Sequence, residues 1–327
     1  MKTTSISHIS HGITETGGFR HEHFFLEKLS EIFNRNNIAV EKKTIRAKQF
    51  FKGIAHIKLL WWGFIHSNAD INITVARTAL SSIVRNIFNQ KKTLIVLHYF
   101  DERDGKNLIL KGYYKVLFWL LSNFNFKNVS IIVVAPFWKK YFENKVKNNV
   151  PVFLFPNFFE NEIYERFITL QKSKRINLGQ YSWKNDQRIF DLAKQLSALG
   201  YDCYFSSMIK EEAGNFDGYD IVFEDRENYL KNMSQSLYTI AFIAINEGWN
   251  RVSHESILVG TTLIGNDAGG LGDLLNESGS LIANQTQQFI DHILSNHQTQ
   301  VEQNFIQKYD EQNAENFLNP IVEFLKK

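Results

Sequence analysis

The sequence has one cysteine, Cys203, and only four prolines in 327 residues. A single thiol cannot close an internal disulfide, and no Cys/His spacing of the zinc type is present, so neither a disulfide scaffold nor a structural zinc module is expected. No apolar run approaches the ~20 residues needed to cross a bilayer. The opening MKTTSISHISHG lacks the apolar core of a signal peptide. There is no low-complexity tract, no short-period repeat and no Gly-x-Gly-x-x-Gly dinucleotide fingerprint. With 44% hydrophobic and 22% charged residues the chain reads as a folded cytosolic protein, long enough for two ordinary domains.

Acidic residues are scarce in the first half. Residues 1–157 hold 23 Lys+Arg against 10 Asp+Glu, a balance of +13, and the remainder holds 14 against 24, or −10. The formal charge of +3 for the whole chain hides this division. A half so basic points to an anionic surface as its partner. Residues 46–66, RAKQFFKGIAHIKLLWWGFIH, would as a helix set Phe50, Ile54, Ile57, Trp61 and Ile65 on one face, with Lys48 and Lys52 on the other side. A basic amphipathic stretch with adjacent tryptophans suits the interface of an anionic membrane. The alternative is that the aromatics pack on a sheet and the lysines are merely solvated. Lys111-Gly112-Tyr113-Tyr114-Lys115 is a second basic-aromatic patch.

What the chain does have is a regular alternation of strand and helix patterns. In the first half, strands are expected over 4–9, 38–44, 70–75, 93–98, 129–135 and 152–155, with helices over 19–36, 80–88, 108–124 and 137–146. In the second half, strands are expected over 175–178, 202–206, 221–224, 240–245 and 262–265, with helices over 186–199, 226–236 and 251–259 and a helical tail after Gln285. Strands alternating with helices imply parallel sheets. Two such runs meeting near Pro156-Asn157 give the fold class: α/β, two Rossmann-like domains with parallel sheets facing a cleft, residues 1–157 and 158–327.

Polar residues concentrate around one strand–helix–strand unit, 239–275. Glu247 and Glu255 frame it with seven residues between them, roughly 12 Å apart at helical rise. A helix start lies between the two acids, and its N–H groups and positive dipole end suit a diphosphate. Carboxylates suit sugar or ribose hydroxyls. Gly260 is a fitting helix stop, and Asn266-Asp267-Ala268-Gly269-Gly270 reads as a loop beyond the second strand.

Glu247-Gly248-Trp249-Asn250-Arg251-Val252-Ser253-His254-Glu255, followed by Gly260-Thr261-Thr262 and Gly269-Gly270-Leu271, resembles the E-x7-E region of retaining GT-B glycosyltransferases, above all the large family four. The resemblance implies that Glu247 meets the donor sugar and Glu255 the ribose. Gly17-Gly18 resembles the family's glycine loop. In the segment Gly179-Gln180…Lys184, Lys184 matches a diphosphate-binding lysine, whereas Gln180 stands where the family has Arg. Asn250 stands where it has Gly, and Arg251 is placed to restore charge near the phosphates. Similar enzymes carry a histidine where His98 ends its strand, facing the donor sugar; a lone histidine there is equally a structural residue.

The implied sites are His98, Glu247 and Lys184 for catalysis, and Gly17, Gly18, Gln180, Lys184, Glu247, Gly248, Trp249, Asn250, Arg251, Glu255, Gly269 and Gly270 for donor binding. His8, His11, His21 and His23 read as ordinary. No Asp-x-Asp triplet occurs, so no metal is expected, and no cofactor beyond the nucleotide-diphosphate sugar that serves as donor. The implied activity is a hexosyl- or related transferase acting with retention on a glycan or lipid-linked acceptor, in envelope polysaccharide or glycolipid assembly. The chain would work in the cytoplasm on the inner face of the cell membrane, with no nucleic-acid partner. The resemblance also implies a final helix packing back on the first domain. Two rivals stay open: a non-catalytic GT-B-like glycan-binding or partner subunit, favoured by Gln180 and Asn250, and a nucleotide-dependent oxidoreductase, against which the missing fingerprint counts.

Overall fold

The computed structural model describes residues 3–10, 17–46, 55–100, 108–147, 149–168, 170–299 and 301–327. Expectations placed on His11, Lys48, Phe50, Lys52 and Ile54 lie outside these residues. The chain divides into two compact units, Met1–Pro156 with Ala314–Lys327, and Asn157–Asn313.

In the first unit six strands, β1 (Thr3–Ser10), β2 (Ala39–Arg46), β3 (Ile71–Val75), β4 (Lys92–Leu97), β5 (Val129–Val133) and β6 (Val152–Leu154), form a sheet in the order β2-β1-β3-β4-β5-β6. Every pairing is parallel. Helices α1 (Gly17–Arg35), α2 (Ala55–His66), α3 (Ala76–Asn89), α4 (Leu108–Asn123) and α5 (Pro136–Lys145) connect them. All residues of β3 and β5 are buried, as befits parallel strands covered on both faces. The two polar side chains this buries in β3 are paired: Ser7 Oγ donates to Asn72 Oδ1 at 2.9 Å, and the Thr74 and Thr78 hydroxyls are hydrogen-bonded at 2.6 Å.

The second unit holds β7 (Ser173–Gln180), β8 (Asp202–Ser207), β9 (Gly214–Phe216), β10 (Tyr219–Phe223), β11 (Ser236–Ala241), β12 (Thr262–Gly265) and β13 (Leu281–Ile282), in the order β13-β12-β11-β7-β8-β10-β9. Its helices are α6 (Glu162–Ile168), α7 (Arg188–Ala198), α8 (Arg226–Gln235), α9 (Arg251–Leu258), α10 (Gly270–Ser278), α11 (Thr286–Leu294) and α12 (Gln303–Lys308). Leu178, Leu192, Phe205, Ile240 and Phe289 build the core between sheet and helices. After this unit the chain returns to the first one as α13 (Ala314–Lys326). Arg35 of α1 ion-pairs with Glu315, Lys92 Nζ donates to the Phe324 carbonyl at 3.3 Å, and the rings of Phe153 and Phe324 lie 5.8 Å apart.

Several local readings are corrected. The strand expected over 240–245 is β11, which ends at Ala241. Phe242–Ala244 leaves the sheet and pairs instead with the 184–186 segment: Asp186 N–H donates to Phe242 O at 2.9 Å and Ala244 N–H to Lys184 O at 2.8 Å. The Asn266 amide completes this edge, accepting from Ile243 N–H and donating to Ile243 O, both at 2.8 Å. The apolar run is therefore buried, but by a strand-like loop. The second sheet is not wholly parallel, because β9 folds back antiparallel on β10. Gly270 does not belong to a loop but opens helix α10. Helix α2 turns its apolar stripe outward: Ile57, Trp61 and Ile65 are exposed, while Leu59 on the other side is buried.

Candidate functional site

In the second unit the carboxyl ends of β7, β11 and β12 deliver the residues that the sequence singles out, and the turn from β10 into α8 adds one that it does not, Arg226. This is the end of a parallel sheet at which ligands bind. Glu247 lies in the turn between β11 and α9, 7% exposed. Its backbone is clamped: Glu247 N–H donates to Ala268 O at 3.1 Å and Gly270 N–H to Glu247 O at 2.9 Å. Gly269 makes this closure possible. It has φ +63°, and a Cβ there would stand 2.9 Å from Glu247 O. A side chain at Gly269 would meet both backbone strain and a clash.

The Glu247 carboxylate takes Lys184 Nζ at 3.0 and 3.2 Å and its neighbour's Gly248 N–H at 3.0 Å. The structure thus joins two residues for which the sequence implied separate partners, the sugar and the diphosphate. Lys184 is held by the loop 182–185, in which Asn185 Oδ1 accepts from Ser182 N–H at 2.7 Å. Gln180 is exposed at the end of β7. It follows Gly179, whose φ of +76° needs glycine and whose missing Cβ would face Val252 in the first turn of α9.

Asn250 is the N-cap of α9: its Oδ1 accepts from Ser253 N–H at 2.9 Å. Asparagine is a stronger cap than glycine, which gives the residue at this position a local reason. The side chain of Trp249, implied by the resemblance to lie at the donor site, is interior. It is 4% exposed and its Nε1–H donates to His254 Nδ1 at 2.9 Å. Because an indole only donates, His254 accepts there and is neutral. Burial, helped by the nearby Arg251 charge, lowers its pKa well below the usual histidine value. The guanidinium of Arg251 lies 4.6 Å over the Phe159 ring and 3.5 Å from Glu255 Oε1. Its charge is directed at Glu255 and the Phe159 ring.

Glu255 sits in α9, 4% exposed and heavily bonded. Arg226 grips it as a fork, Nη1 to Oε2 at 3.0 Å and Nη2 to Oε1 at 2.9 Å. Tyr229 donates to Oε2 at 3.2 Å and Tyr164 to Oε1 at 3.5 Å. Burial, reinforced by the carboxylate, raises the pKa of both phenols. Sequence reasoning missed Arg226, Tyr229 and Tyr164. No local spacing ties them to Glu255, since α6 and α8 bring them in from 91 and 26–29 positions away.

The first unit gathers a different cluster at the carboxyl end of its sheet. His98 follows β4. Gly18, in the first turn of α1, leaves room for its imidazole, because a Cβ there would lie 3.2 Å from His98 Cδ2 and Nε2. Gly17 is the first residue of the same helix. His98 Nε2 is 3.0 Å from Glu22 Oε1, His8 Nε2 is 2.7 Å from Glu22 Oε2, and the His21 ring stands edge-on to His98 at 5.0 Å. His8 and His21, read from sequence as ordinary, belong to this group. Glu22 was missed, although its place one turn after Gly18 on the same helix was a usable signal. Burial would raise the Glu22 carboxyl, but hydrogen bonds from His8 and His98 overcome it and hold the group at about 2. Among the described residues, no group of three or more His, Cys, Asp or Glu could hold a metal ion, and no helix is long and apolar enough to cross a membrane.

No protein-family description and no curated protein matches the sequence. Solved structures do match. HepE of Anabaena in complex with UDP-glucose aligns with a TM-score of 0.68 at 12% identity, covering 98% of this chain and 99% of that one. Sucrose-phosphate synthase from Thermosynechococcus elongatus gives 0.65 at 14% identity over 99% and 97%. An α,α-trehalose-phosphate synthase (UDP-forming) from Burkholderia vietnamiensis gives 0.68 at 9% over 99% and 97%. At these identities the likeness speaks for architecture: the chain has the GT-B fold, two Rossmann-like α/β units built on parallel sheets.

Proposed function

We propose that the protein is a glycosyltransferase that moves a sugar from a nucleotide-diphosphate sugar to a glycan or lipid-linked acceptor, with retention and without a metal. The observation that carries this reading is the Lys184–Glu247 pair beside the start of α9, at the strand ends of a GT-B fold. A donor diphosphate draws Lys184 toward its oxygens and is stabilised by the positive end of α9. Glu247, released from part of its ion pair, accepts a hydroxyl of the sugar. Charge building on the departing diphosphate is met by groups already in place, which is the main source of rate in such a site. No side chain of the site stands out as a dedicated nucleophile, and the diphosphate oxygen itself serves as base. In this reading the second unit holds the nucleotide sugar, with Gly248, Gly269 and Gly270 offering backbone, and Gln180 lying beside the phosphates. The first unit, which carries His98 with Gly17 and Gly18, takes the acceptor.

Glu255 serves the ribose by exchange. Its two long contacts, Tyr164 and Arg251 at 3.5 Å, are the ones a ribose hydroxyl replaces, while the Arg226 fork stays. The HepE complex makes UDP-glucose the first donor to try. The test is mass-spectrometric detection of sugar release from a panel of nucleotide sugars, by wild type and by Glu247→Gln. Release by wild type alone supports the reading. No release from any donor favours the non-catalytic partner subunit, a reading that Arg251 supports by spending its charge on Glu255.

A lipid-linked acceptor requires a membrane, and we place its surface on α2, α3 and α4. These helices contain no Asp or Glu and carry Lys58, Arg77, Arg85, Lys111 and Lys115. They stand side by side, with Arg85 5.0 Å over the Phe64 ring and Tyr113 Oη donating to Ala76 O at 2.7 Å. Trp61, Phe88 and Trp119 are exposed on them. Each basic residue near an anionic surface contributes about 1 kcal/mol. Wild type should therefore sediment with phosphatidylserine vesicles and not with phosphatidylcholine ones, and Lys58→Glu with Trp61→Glu should reduce the bound fraction. Equal recovery in every supernatant rejects the surface and leaves the transferase reading intact.

A further inference from the structure

Glu22 has no step of its own in the proposed reaction, yet it is buried and bonded to the histidine that does. It sits in α1, 4% exposed. Its two oxygens are divided between two imidazoles, Oε2 to His8 Nε2 at 2.7 Å and Oε1 to His98 Nε2 at 3.0 Å. With its pKa held at about 2, the group is an anion at neutral pH and accepts only. A ring nitrogen facing it at these distances has to carry a proton, because a lone pair there would be repelled.

The His8 ring supports this independently. It is fully buried, and its Nδ1 has no hydrogen-bond partner among the described residues. A bare lone pair is tolerated in such a place, whereas a second N–H would be an unsatisfied buried donor. The form that fits has its one proton on Nε2, aimed at Glu22. The same rule applied to His98 leaves Nδ1 as its remaining ring nitrogen. The Cδ2–Nε2 edge of that ring rests against Gly18 and the ring meets the edge of His21, so the imidazole is framed as well as bonded.

We propose that Glu22 is the positioning residue of this unit: by accepting from Nε2–H it fixes the tautomer of His98 and presents Nδ1 as a hydrogen-bond acceptor for a sugar hydroxyl. The sugar part of this statement rests on the transferase reading; the tautomer part does not. Which ring nitrogen carries the proton is set by the partner of the other; outer partners that orient metal-bound histidines change affinity or activity about 10- to 100-fold when removed, and an effect of that order is expected here.

The experiment is a long-range 1H–15N spectrum of histidine-labelled protein at alkaline pH, with His98 assigned through the resonance lost in His98→Gln. Wild type should show His98 protonated on Nε2 and bare on Nδ1. In Glu22→Gln the amide can donate as well as accept, so His98 should become a mixture of tautomers. Turnover of a nucleotide sugar accepted by wild type should fall about 10- to 100-fold. Affinity for the free nucleoside diphosphate, which meets the other unit, should be unchanged. A wild-type His98 protonated on Nδ1, or tautomer populations unaltered in Glu22→Gln, overturns the proposal. Should Glu22→Gln not fold, the wild-type spectrum decides alone. Should wild type turn over no nucleotide sugar, the transferase reading fails while the spectrum still judges Glu22.

Discussion

Two carboxylates close to one helix are treated in opposite ways. Glu247, before the start of α9, has a flexible lysine as its charged partner, and the pair sits at the open strand ends. Glu255, inside α9, is held by a rigid arginine fork and two tyrosines on three packed helices. A lysine ammonium is a point charge on a mobile stem, whereas a guanidinium fork fixes geometry as well as charge. The first arrangement can give up its charged partner to a ligand; the second keeps its arginine fork, yields only its two 3.5 Å contacts, and ties α6, α8 and α9 together. Equal spacing in a motif therefore does not mean equal duty.

The sharpest test of this contrast is stability. Arg226→Ala leaves Glu255 buried with a weaker partner and should lower unfolding stability by about 3 kcal/mol, the low end for breaking a buried pair, since Arg251 remains near. Lys184→Ala removes a single ammonium rather than a two-point fork, and leaves Glu247 its Gly248 N–H, so it should cost less, about 1 kcal/mol. Denaturant titration of both variants decides, and similar losses would erase the distinction. Next in size is function. Glu247→Gln should cut sugar transfer by roughly 10- to 150-fold, the loss of one charged hydrogen bond, with nucleotide affinity kept. A matching fall in nucleotide affinity would move Glu247 from the sugar to the nucleotide. Lys184→Ala should weaken a nucleoside diphosphate by about 1.5–3 kcal/mol and the bare nucleoside hardly at all. Calorimetry with both ligands reads the difference, and equal losses would reassign the lysine.

A pH effect extends the comparison to the first unit. Glu22 has a pKa of about 2 in the fold against an ordinary 4.5. Its contribution to stability is complete above about pH 4.5 and is lost as the pH falls toward 2. Glu22→Gln should therefore flatten the acid limb of the stability curve and leave the limb unchanged in slope above pH 5 or so. An acid limb identical to wild type would show that the carboxyl is not held by its histidines.

Most of the architecture was legible because it rests on local pattern. The alternation of apolar runs with helical periodicity located the central strands of both sheets to within a few residues. The misplacement of β11 arose because Phe242 and Ile243 are as buried as strand residues while pairing with a loop. Helix α10 was hidden by its own composition, since Gly269, Gly270 and Gly272 carry poor helix propensity. The paired residues were the least legible part. Lys184 and Glu247 are 63 positions apart, and Glu22 and His98 are 76 apart. Spacing rules work within a helix or a strand and say nothing about which turns a sheet will bring together.

The return of α13 to the first unit has a bearing on how the protein is born. Residues 157–313 form an uninterrupted stretch, so the second unit has all its parts once Asn313 has left the ribosome tunnel. The first unit, although begun earlier, lacks the partners of Arg35, Lys92 and Phe153 until residues 314–326 follow. The usual order of synthesis finishes the amino-terminal domain first, whereas this layout completes the parts of the second unit before those of the first. Until α13 is made, the surface it covers has no helix to cover it.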